Sequence, residues 1–309
     1  MENKDLLKAL TPPCGKVDAV IDTDTYNEID DQFALSYMIR SSDKINLKAI
    51  YAAPFFNQHS TSPADGMIKS YNEIFNILTL MKEEELKKCV FKGSENYLPD
   101  EKTPVISDAA KDLAERAMSY TSENPLYVVA IGAITNVASA LLINPEIADR
   151  IVLVWLGGHS FEWPNTKEFN MYQDVAGARV VFDSAAPVVL LPCMGVVSAF
   201  TVSGDDMRAR FYGKNDLCTY LTTHSENEVS SYVKEGRAWT RVIWDVTAVA
   251  WLTGAKGGNN EFMQYKTVPA PICEYDFTYS FDKNRKSIVY VYHIKRDALF
   301  NDMIDKLTK

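Results

Sequence analysis

Short apolar runs and helical apolar periodicity alternate along the chain up to residue 191. The short runs have the length of buried strands, and the segments between them repeat apolar side chains every three or four positions, as one face of a helix does. Strands are predicted at residues 17–21, 47–53, 90–91, 126–131, 150–156 and 188–191. Helices are predicted at residues 62–81, 108–120, 135–143 and 174–182, with another opening at Asp30. This alternation predicts an α/β fold with a mostly parallel central sheet flanked by helices.

The later part of the chain has a different pattern. Residues 203–252 are predicted to be mainly helical, and residues 263–292 to be rich in strands, with a hairpin turn at 282–286. A closing helix is predicted at residues 296–307. Because neither an internal repeat nor a low-complexity linker is present, we expect a single domain over residues 1–309. It would have an open, Rossmann-like sheet and a helical lobe in its C-terminal half.

Composition excludes several classes of protein. The 32 Lys and Arg against 41 Asp and Glu leave a net charge of −9, which argues against a nucleic-acid or membrane-surface partner. The five cysteines are scattered and form no CxxC, so the sequence favours a reducing, cytoplasmic setting over a disulfide framework or zinc cluster. Residues 1–13 lack the long apolar run of a signal peptide, and the longest apolar runs are too short to span a membrane.

The stretch after the first strand is unusually acidic. Five acids occur within the ten positions 22–31, namely Asp22, Asp24, Glu28, Asp30 and Asp31. Capping of the following helix would explain one or two acids but not five, because the others would repel one another. A bound cation would offset the repulsion among all five negative charges. Carboxylate oxygens are the ligands of hard ions such as Ca²⁺. The stretch also follows a strand's carboxyl end, where ligands bind in open α/β sheets.

Polar residues follow other predicted strands as well, and we expect them to meet at the same edge of the sheet. These candidates are Asn57, Thr135, Asn136, Glu162, Asn165, Glu168, Asn170 and Asp174. Much later, Trp244 and Asp245 lie within the apolar stretch 242–246. An acid there is costly to bury unless it is paired or binds a metal, although a surface or capping Asp is the simpler alternative.

Four of these segments, in this order, resemble the signature of the nucleoside hydrolases, the inosine-uridine-preferring N-ribohydrolase family. Residues 22–31 are similar to the family's opening Asp-x-Asp-Pro-Gly-x-Asp-Asp, and residues 132–138 to its Gly-x-Leu-Thr-Asn-(Ile/Val)-Ala loop. Residues 168–174 resemble its Glu-Phe-Asn…Asp segment, and residues 244–245 its late His-Asp pair. The resemblance implies a nucleoside-hydrolase-like fold that cleaves the N-glycosidic bond of a ribonucleoside or related N-riboside, with a role in purine or pyrimidine salvage.

The resemblance also implies roles for individual residues around a Ca²⁺ at the bottom of a ribose pocket. The ion's ligands would be Asp24, Asp31, the backbone carbonyl of Thr135, and Asp245. Asp24 would also be the general base acting on water. Asp30 and Asn170 would hold ribose hydroxyls with Asn57 nearby, Glu168 would bind the 5′ side, and Asp22 would support the loop. Family members are commonly dimers or tetramers, so a homo-oligomer is expected.

The chain departs from the family pattern around the base and the 5′-hydroxyl. The Pro-Gly turn is missing, and six steps separate Asp24 from Asp30 where the family has four. The family's Asn for the 5′-hydroxyl falls at Glu162, with Asn165 the other candidate. Trp244 replaces the family His, so it cannot protonate a leaving base; it would stack on the base or simply pack in the core. The resemblance is therefore closer for the residues implied to bind the metal and the ribose than for those implied to contact the base.

Two other functions compete with hydrolysis. In a haloacid-dehalogenase-like phosphatase, Asp22 and Asp24 would be nucleophile and acid with Mg²⁺. That fold also needs a Lys and a second acidic pair after another strand, and Asp205-Asp206 instead begins a predicted helix. The second competitor is a ribose- or nucleoside-binding protein that keeps the pocket and has lost turnover.

Overall fold

The computed structural model describes residues 9–234 and 236–309. Most of the stretch considered for a signal peptide, residues 1–8, lies outside the described residues. The strands, in chain order, are β1 (Val17–Thr23), β2 (Ile45–Ala52), β3 (Val90–Lys92), β4 (Leu126–Ala130), β5 (Ile151–Leu156), β6 (Val188–Leu191), β7 (Thr201–Ser203), β8 (Thr240–Val242), β9 (Ala255–Lys256), β10 (Asn259–Asn260), β11 (Met263–Pro269), β12 (Pro271–Cys273), β13 (Tyr279–Phe281) and β14 (Ser287–Ile294).

The α-helices of the described residues alternate with the strands in the first half of the chain and cluster in the second. They are α1 (Asp30–Arg40), α2 (Pro63–Met81), α3 (Asp108–Arg116), α4 (Thr135–Ile143), α5 (Phe169–Gln173), α6 (Val175–Asp183), α7 (Gly204–Arg210), α8 (Asp216–Ser230), α9 (Val246–Thr253) and α10 (Arg296–Leu307). None of them is long and apolar enough to cross a membrane.

The central sheet has eight strands in the order β11-β14-β6-β5-β4-β1-β2-β3. Neighbouring strands are parallel throughout except for the edge pair β11 and β14. The prediction of a mostly parallel sheet flanked by helices is therefore confirmed. Strand β1 lies inside the sheet between β4 and β2, so the acidic stretch after it begins near the middle of the carboxyl edge.

Apolar layers cover both faces of the sheet, because side chains along a strand point alternately to opposite sides. Ala19 and Ile21 of β1 belong to one layer, and Val20 belongs to the other. Both faces of β1 are thus buried, which explains its nearly unbroken apolar sequence. The first layer also receives Trp251 of α9 and side chains of α7 and α8. The segment from α7 to α9, which includes β8 and which we call the lobe, thus packs on the same face as α1.

Two local predictions in the second half of the chain need correction. The predicted hairpin at 282–286 is wrong, because β13 before the turn pairs with β12, whereas β14 after it pairs with β11 and β6. The predicted helical region 203–252 also contains strand β8, which pairs antiparallel with β7, so that Val242 lies opposite Thr201. This short ladder carries the chain from the lobe back towards the sheet, immediately before Asp245.

Candidate functional site

Three elements that are distant in sequence bring carboxylates together at the carboxyl edge of the sheet. Asp24 follows β1, Asp30 and Asp31 are the first residues of α1, and Asp245 immediately precedes α9. Oxygen atoms of Asp30, Asp31 and Asp245 all lie within 4.8 Å of one another. Together with Asp24 they line one cavity of about 230 Å³. We call these four residues the floor.

Asp24 is the most exceptional member of the floor. Both of its carboxylate oxygens are buried, and neither accepts a hydrogen bond from an N–H or hydroxyl donor of the described residues, because the group that faces them is the Asp31 carboxylate. Gly132, in the loop between β4 and α4, passes so close that a Cβ there would lie 3.2 Å from the Asp24 Cγ atom. A buried carboxylate without a partner is costly in a folded protein, so these oxygens indicate a missing positive partner.

Burial and mutual repulsion make the floor hard to ionise without a cation. Desolvation, followed by neighbouring carboxylates, raises the pKa of Asp24, Asp30 and Asp245 well above the usual value. Desolvation also raises the pKa of Asp31, to about 6, although the hydroxyl of Thr23 donates a hydrogen bond to it. A divalent ion would supply the positive charge that this donor set lacks, and oxygen-only donors suit Ca²⁺ or Mg²⁺ better than Zn²⁺.

Asp22 lies behind the floor and does not line the cavity. Its side chain is fully buried, and its Oδ1 accepts a hydrogen bond from Nδ2 of Asn136 at 2.7 Å. Desolvation raises the pKa of Asp22 to about 7. Asn136 in turn accepts a hydrogen bond from the backbone N–H of Ser94 at 2.7 Å, so the pair connects the end of β1 to the start of α4 and to the loop after β3.

The segment after β5 forms a wall of the cavity through Glu168 and Asn170. The Glu168 carboxylate accepts backbone hydrogen bonds from Gly158, Asn170 and Met171 at 2.8–2.9 Å, and it caps α5. Even so, desolvation leaves the pKa of Glu168 raised. Nδ2 of Asn170 donates to the carbonyls of Ile131 and Leu156, both at 3.0 Å, which leaves its Oδ1 as the atom for a ligand.

Four other candidates do not line the cavity. Thr135 begins α4, and its hydroxyl donates to the Asp174 carboxylate. Nδ2 of Asn57 donates to Oδ1 of Asn27 at 2.5 Å, so Asn57 lies one residue behind a cavity-lining side chain. Glu162 is exposed, and Asn165 accepts a hydrogen bond from the backbone N–H of Lys167 at 3.0 Å.

The remaining lining combines residues that the sequence singled out and residues that it did not. Trp244 lines the cavity and also packs on the apolar layer below it, and His159 contributes a ring whose pKa is lowered by burial. Glu28 belongs to the acidic stretch that the sequence singled out, whereas the lining residues that sequence reasoning missed are Asn27, Ile131, Leu156, Lys167, Phe169, Cys193 and Met194. Cys193 and Met194 follow β6 after Pro192, so the strand-end rule, applied to every strand, would have found them.

Comparisons with known proteins agree on one family. The family model described as inosine-uridine preferring nucleoside hydrolase matches residues 19–278. Over 72 residues the chain is 38% identical to the pyrimidine-specific ribonucleoside hydrolase RihA of Escherichia coli O1:K1. That alignment covers 22% of this chain and 23% of RihA, so the chain spans about a quarter of the length of this curated relative.

Solved structures resemble the whole chain. A plant nucleoside hydrolase, PpNRh1, superposes with a TM-score of 0.74 at 16% identity, covering 94% of this chain and 99% of that one. The purine-preferring ribonucleoside hydrolase from Gardnerella vaginalis superposes with a TM-score of 0.70 at 18% identity, covering 94% and 98%. At such low identity these likenesses establish the fold.

Proposed function

This chain belongs to the inosine-uridine preferring nucleoside hydrolase family, and we propose that it hydrolyses the N-glycosidic bond of a ribonucleoside or related N-riboside with Ca²⁺ as cofactor. The observation that carries this proposal is the pair of buried, unpartnered Asp24 oxygens in a cavity shared with Asp30, Asp31 and Asp245. A phosphatase that used Asp22 as its nucleophile would need that carboxylate in the cavity, whereas it lies behind the floor, bonded to Asn136.

The cation would be held by the carboxylates of Asp24, Asp31 and Asp245, together with the backbone carbonyl of Thr135. When bound, it would supply the Lewis acidity that makes water a nucleophile near neutral pH. Asp30 lies among the same carboxylates but is assigned here to the ribose, where it would accept a hydrogen bond from a hydroxyl. Oδ1 of Asn170 would accept another, because both amide hydrogens of its side chain are already used by backbone carbonyls.

Asp24 is the proposed general base. In the reaction the bond between C1′ and the base nitrogen would break with its electron pair leaving on the base, which takes up a proton from solvent, and water would add to C1′ as its own proton passes to Asp24. The ribosyl group carries positive charge in the transition state. Buried carboxylates around the sugar stabilise that charge more than they stabilise the neutral substrate, which is the requirement for catalysis.

The base end of the cavity differs from the floor. Trp244 has no proton that it can give to a leaving base, and we propose that its indole offers a face on which the base stacks. Glu168 would form the 5′ side of the ribose pocket, with Asn57, Glu162 and Asn165 outside the lining. Asp22 would support the floor through Asn136.

The test is release of reducing sugar from a panel of purine and pyrimidine ribosides, with added Ca²⁺ and after treatment with EDTA. We expect release that requires the cation and is lost in Asp24→Asn. Release of phosphate from phosphate esters without sugar release would indicate a phosphatase instead. A Ca²⁺-dependent thermal shift by ribose-like ligands without any product would indicate a binding protein that has lost turnover.

We further propose that the enzyme works as a homodimer or homotetramer in the cytoplasm. All five cysteines are free, which is consistent with a reducing compartment. Sedimentation equilibrium of the full chain tests the assembly, and a monomer at micromolar concentration would contradict it.

A further inference from the structure

The loop between β1 and α1 contributes an acidic side chain that stands apart from the floor. Glu28 lies within residues 25–29, the segment that is longer here than in the family pattern, and its side chain lines the cavity. The floor carboxylates are buried, whereas the Glu28 side chain is 46% exposed. Glu28 therefore lies towards the open side of the cavity.

One oxygen of Glu28 is held in place by the lobe. Arg241 of β8 donates from its guanidinium to Oε2 of Glu28 at 2.9 Å. The guanidinium also lies 2.9 Å from the carboxylate of Glu228 in α8, and the Arg241 side chain is only 14% exposed. A guanidinium fixed between two carboxylates is a well-oriented anchor. Arg241 thus holds one oxygen of the Glu28 carboxylate and leaves the other, Oε1, outside this ion pair.

That second oxygen has no hydrogen-bond partner among the described residues, although it belongs to an ion-paired carboxylate. An ionised carboxylate only accepts hydrogen bonds, so a ligand group that meets it must be a donor. If the ribose hydroxyls occupy the buried floor, the rest of the substrate extends towards the exposed lining. Trp244 follows β8 by two residues and lines the same cavity, so the lobe supplies an aromatic face beside this acceptor, together with the Arg241 that pairs with it.

We infer that Glu28, oriented by Arg241, determines specificity by accepting a hydrogen bond from an N–H donor on the leaving base. This inference rests on the proposed N-riboside hydrolysis and names its preferred substrates as ribosides whose base presents an N–H donor, such as an exocyclic amino group. Arg241 is then a positioning residue, since it acts through Glu28. A hydrogen bond to a charged acceptor corresponds to a preference of about tenfold or more.

The experiment compares ribosides that differ only in that amino group. The pairs are adenosine against purine riboside, and cytidine against pyrimidin-2-one riboside. We expect wild-type kcat/KM to favour the amino member of the hydrolysed pair by about tenfold. The preference should be lost in Glu28→Ala, reduced in Glu28→Gln, and reduced in Arg241→Met.

The matched control is Glu226→Gln, which neutralises another acid of α8 whose partner is Arg208, outside the cavity. It should keep the wild-type preference. If Glu28 merely anchors its loop, Glu28→Ala and Glu28→Gln will lower kcat/KM equally for both members of a pair, and the unchanged ratio overturns the inference alone. If the wild type releases ribose from none of the four ribosides, the proposed function is overturned together with this inference.

Discussion

The floor of the cavity and its open side are built in different ways. The floor carboxylates are attached to the ends of regular elements: β1, the first turn of α1, and the start of α9. The open side is made of loop residues such as Glu28 and Lys167, which are exposed. Regular elements fix the positions of the floor through the sheet and the packing of α1 against α9, whereas loops can change length and composition around it.

The longer loop after Asp24 illustrates this difference. Along residues 25–29 exposed and buried positions alternate, with Tyr26 and Glu28 exposed and Thr25, Asn27 and Ile29 buried. The exposed positions lengthen the loop towards solvent, while Asp30 and Asp31 still begin a helix beside Asp245. The proposed cation is therefore bound by residues at the ends of regular elements, and the proposed substrate selection depends on residues of the loops.

The largest effect is expected from Asp24→Asn. Removal of the proposed general base should lower kcat by about a thousandfold while the protein stays folded, since general-base contributions are of that order. Steady-state sugar release measures kcat, and far-UV circular dichroism measures whether the variant is folded. Asp18→Asn is a matched control, because Asp18 lies in β1, the strand that Asp24 follows, and pairs with Lys48 instead of lining the cavity. Near-normal activity in Asp24→Asn would remove Asp24 as the base.

Asp245→Ala should weaken Ca²⁺ binding by about a hundredfold, because it removes one carboxylate ligand from the proposed set. Asp245 makes no side-chain capping hydrogen bond to α9 among the described residues, so the helix itself should survive. Isothermal titration calorimetry with Ca²⁺ measures the change. An unchanged Ca²⁺ affinity would mean that Asp245 is not a ligand of the proposed cation, although it lies in the floor.

The pH dependence of stability should differ between the cation-free and Ca²⁺-bound protein. Burial raises the folded pKa of Asp22 to about 7 and that of Asp31 to about 6, from an ordinary value of 3.8. In this range the folded, cation-free chain keeps protons that the unfolded chain releases, so stability should fall as pH rises from about 4 to about 7.

Thermal unfolding in EDTA should therefore show a midpoint that drops by several degrees between about pH 5 and about pH 7. Excess Ca²⁺ should raise the midpoint and flatten this slope, because ligand bound to the ionised floor favours the folded state. Asp22→Asn keeps an acceptor for Asn136 and should flatten only part of the slope in EDTA. The same slope with and without Ca²⁺ would contradict a cation at the floor.

The smallest effect is expected from Trp244→Ala. Loss of a stacking face should raise KM by about fivefold, in line with the free energy of aromatic contacts, and should leave Ca²⁺ affinity unchanged. Michaelis kinetics measures the change in KM, and calorimetry measures the Ca²⁺ affinity. A change in Ca²⁺ affinity instead would mean that Trp244 acts on the floor, and that floor and open side are not independent.

Much of this architecture could be predicted from local patterns. The strand at β1, the acids after it and the helix beginning at Asp30 are features of one continuous segment, and apolar periodicity is a local property. The rule that ligands meet strand carboxyl ends then brings Asp24 and Asn170 to the same cavity. Pairing between distant strands was less predictable, as the wrongly predicted hairpin at 282–286 demonstrates, since partners far apart in sequence leave no local signal.

By itself, the amino-acid sequence determined the types of residue and the edge of the sheet at which they collect, because apolar periodicity and the alternation of strands and helices along the chain are short-range patterns. Only the tertiary structure decided which of those side chains enter the cavity. Asn57 and Thr135 follow strands as Asn170 does, but their side chains are bonded to Asn27 and Asp174, residues outside their own elements. Likewise, the ion pair between Glu28 and Arg241 joins positions 213 residues apart, so it exists only once the lobe has packed on α1.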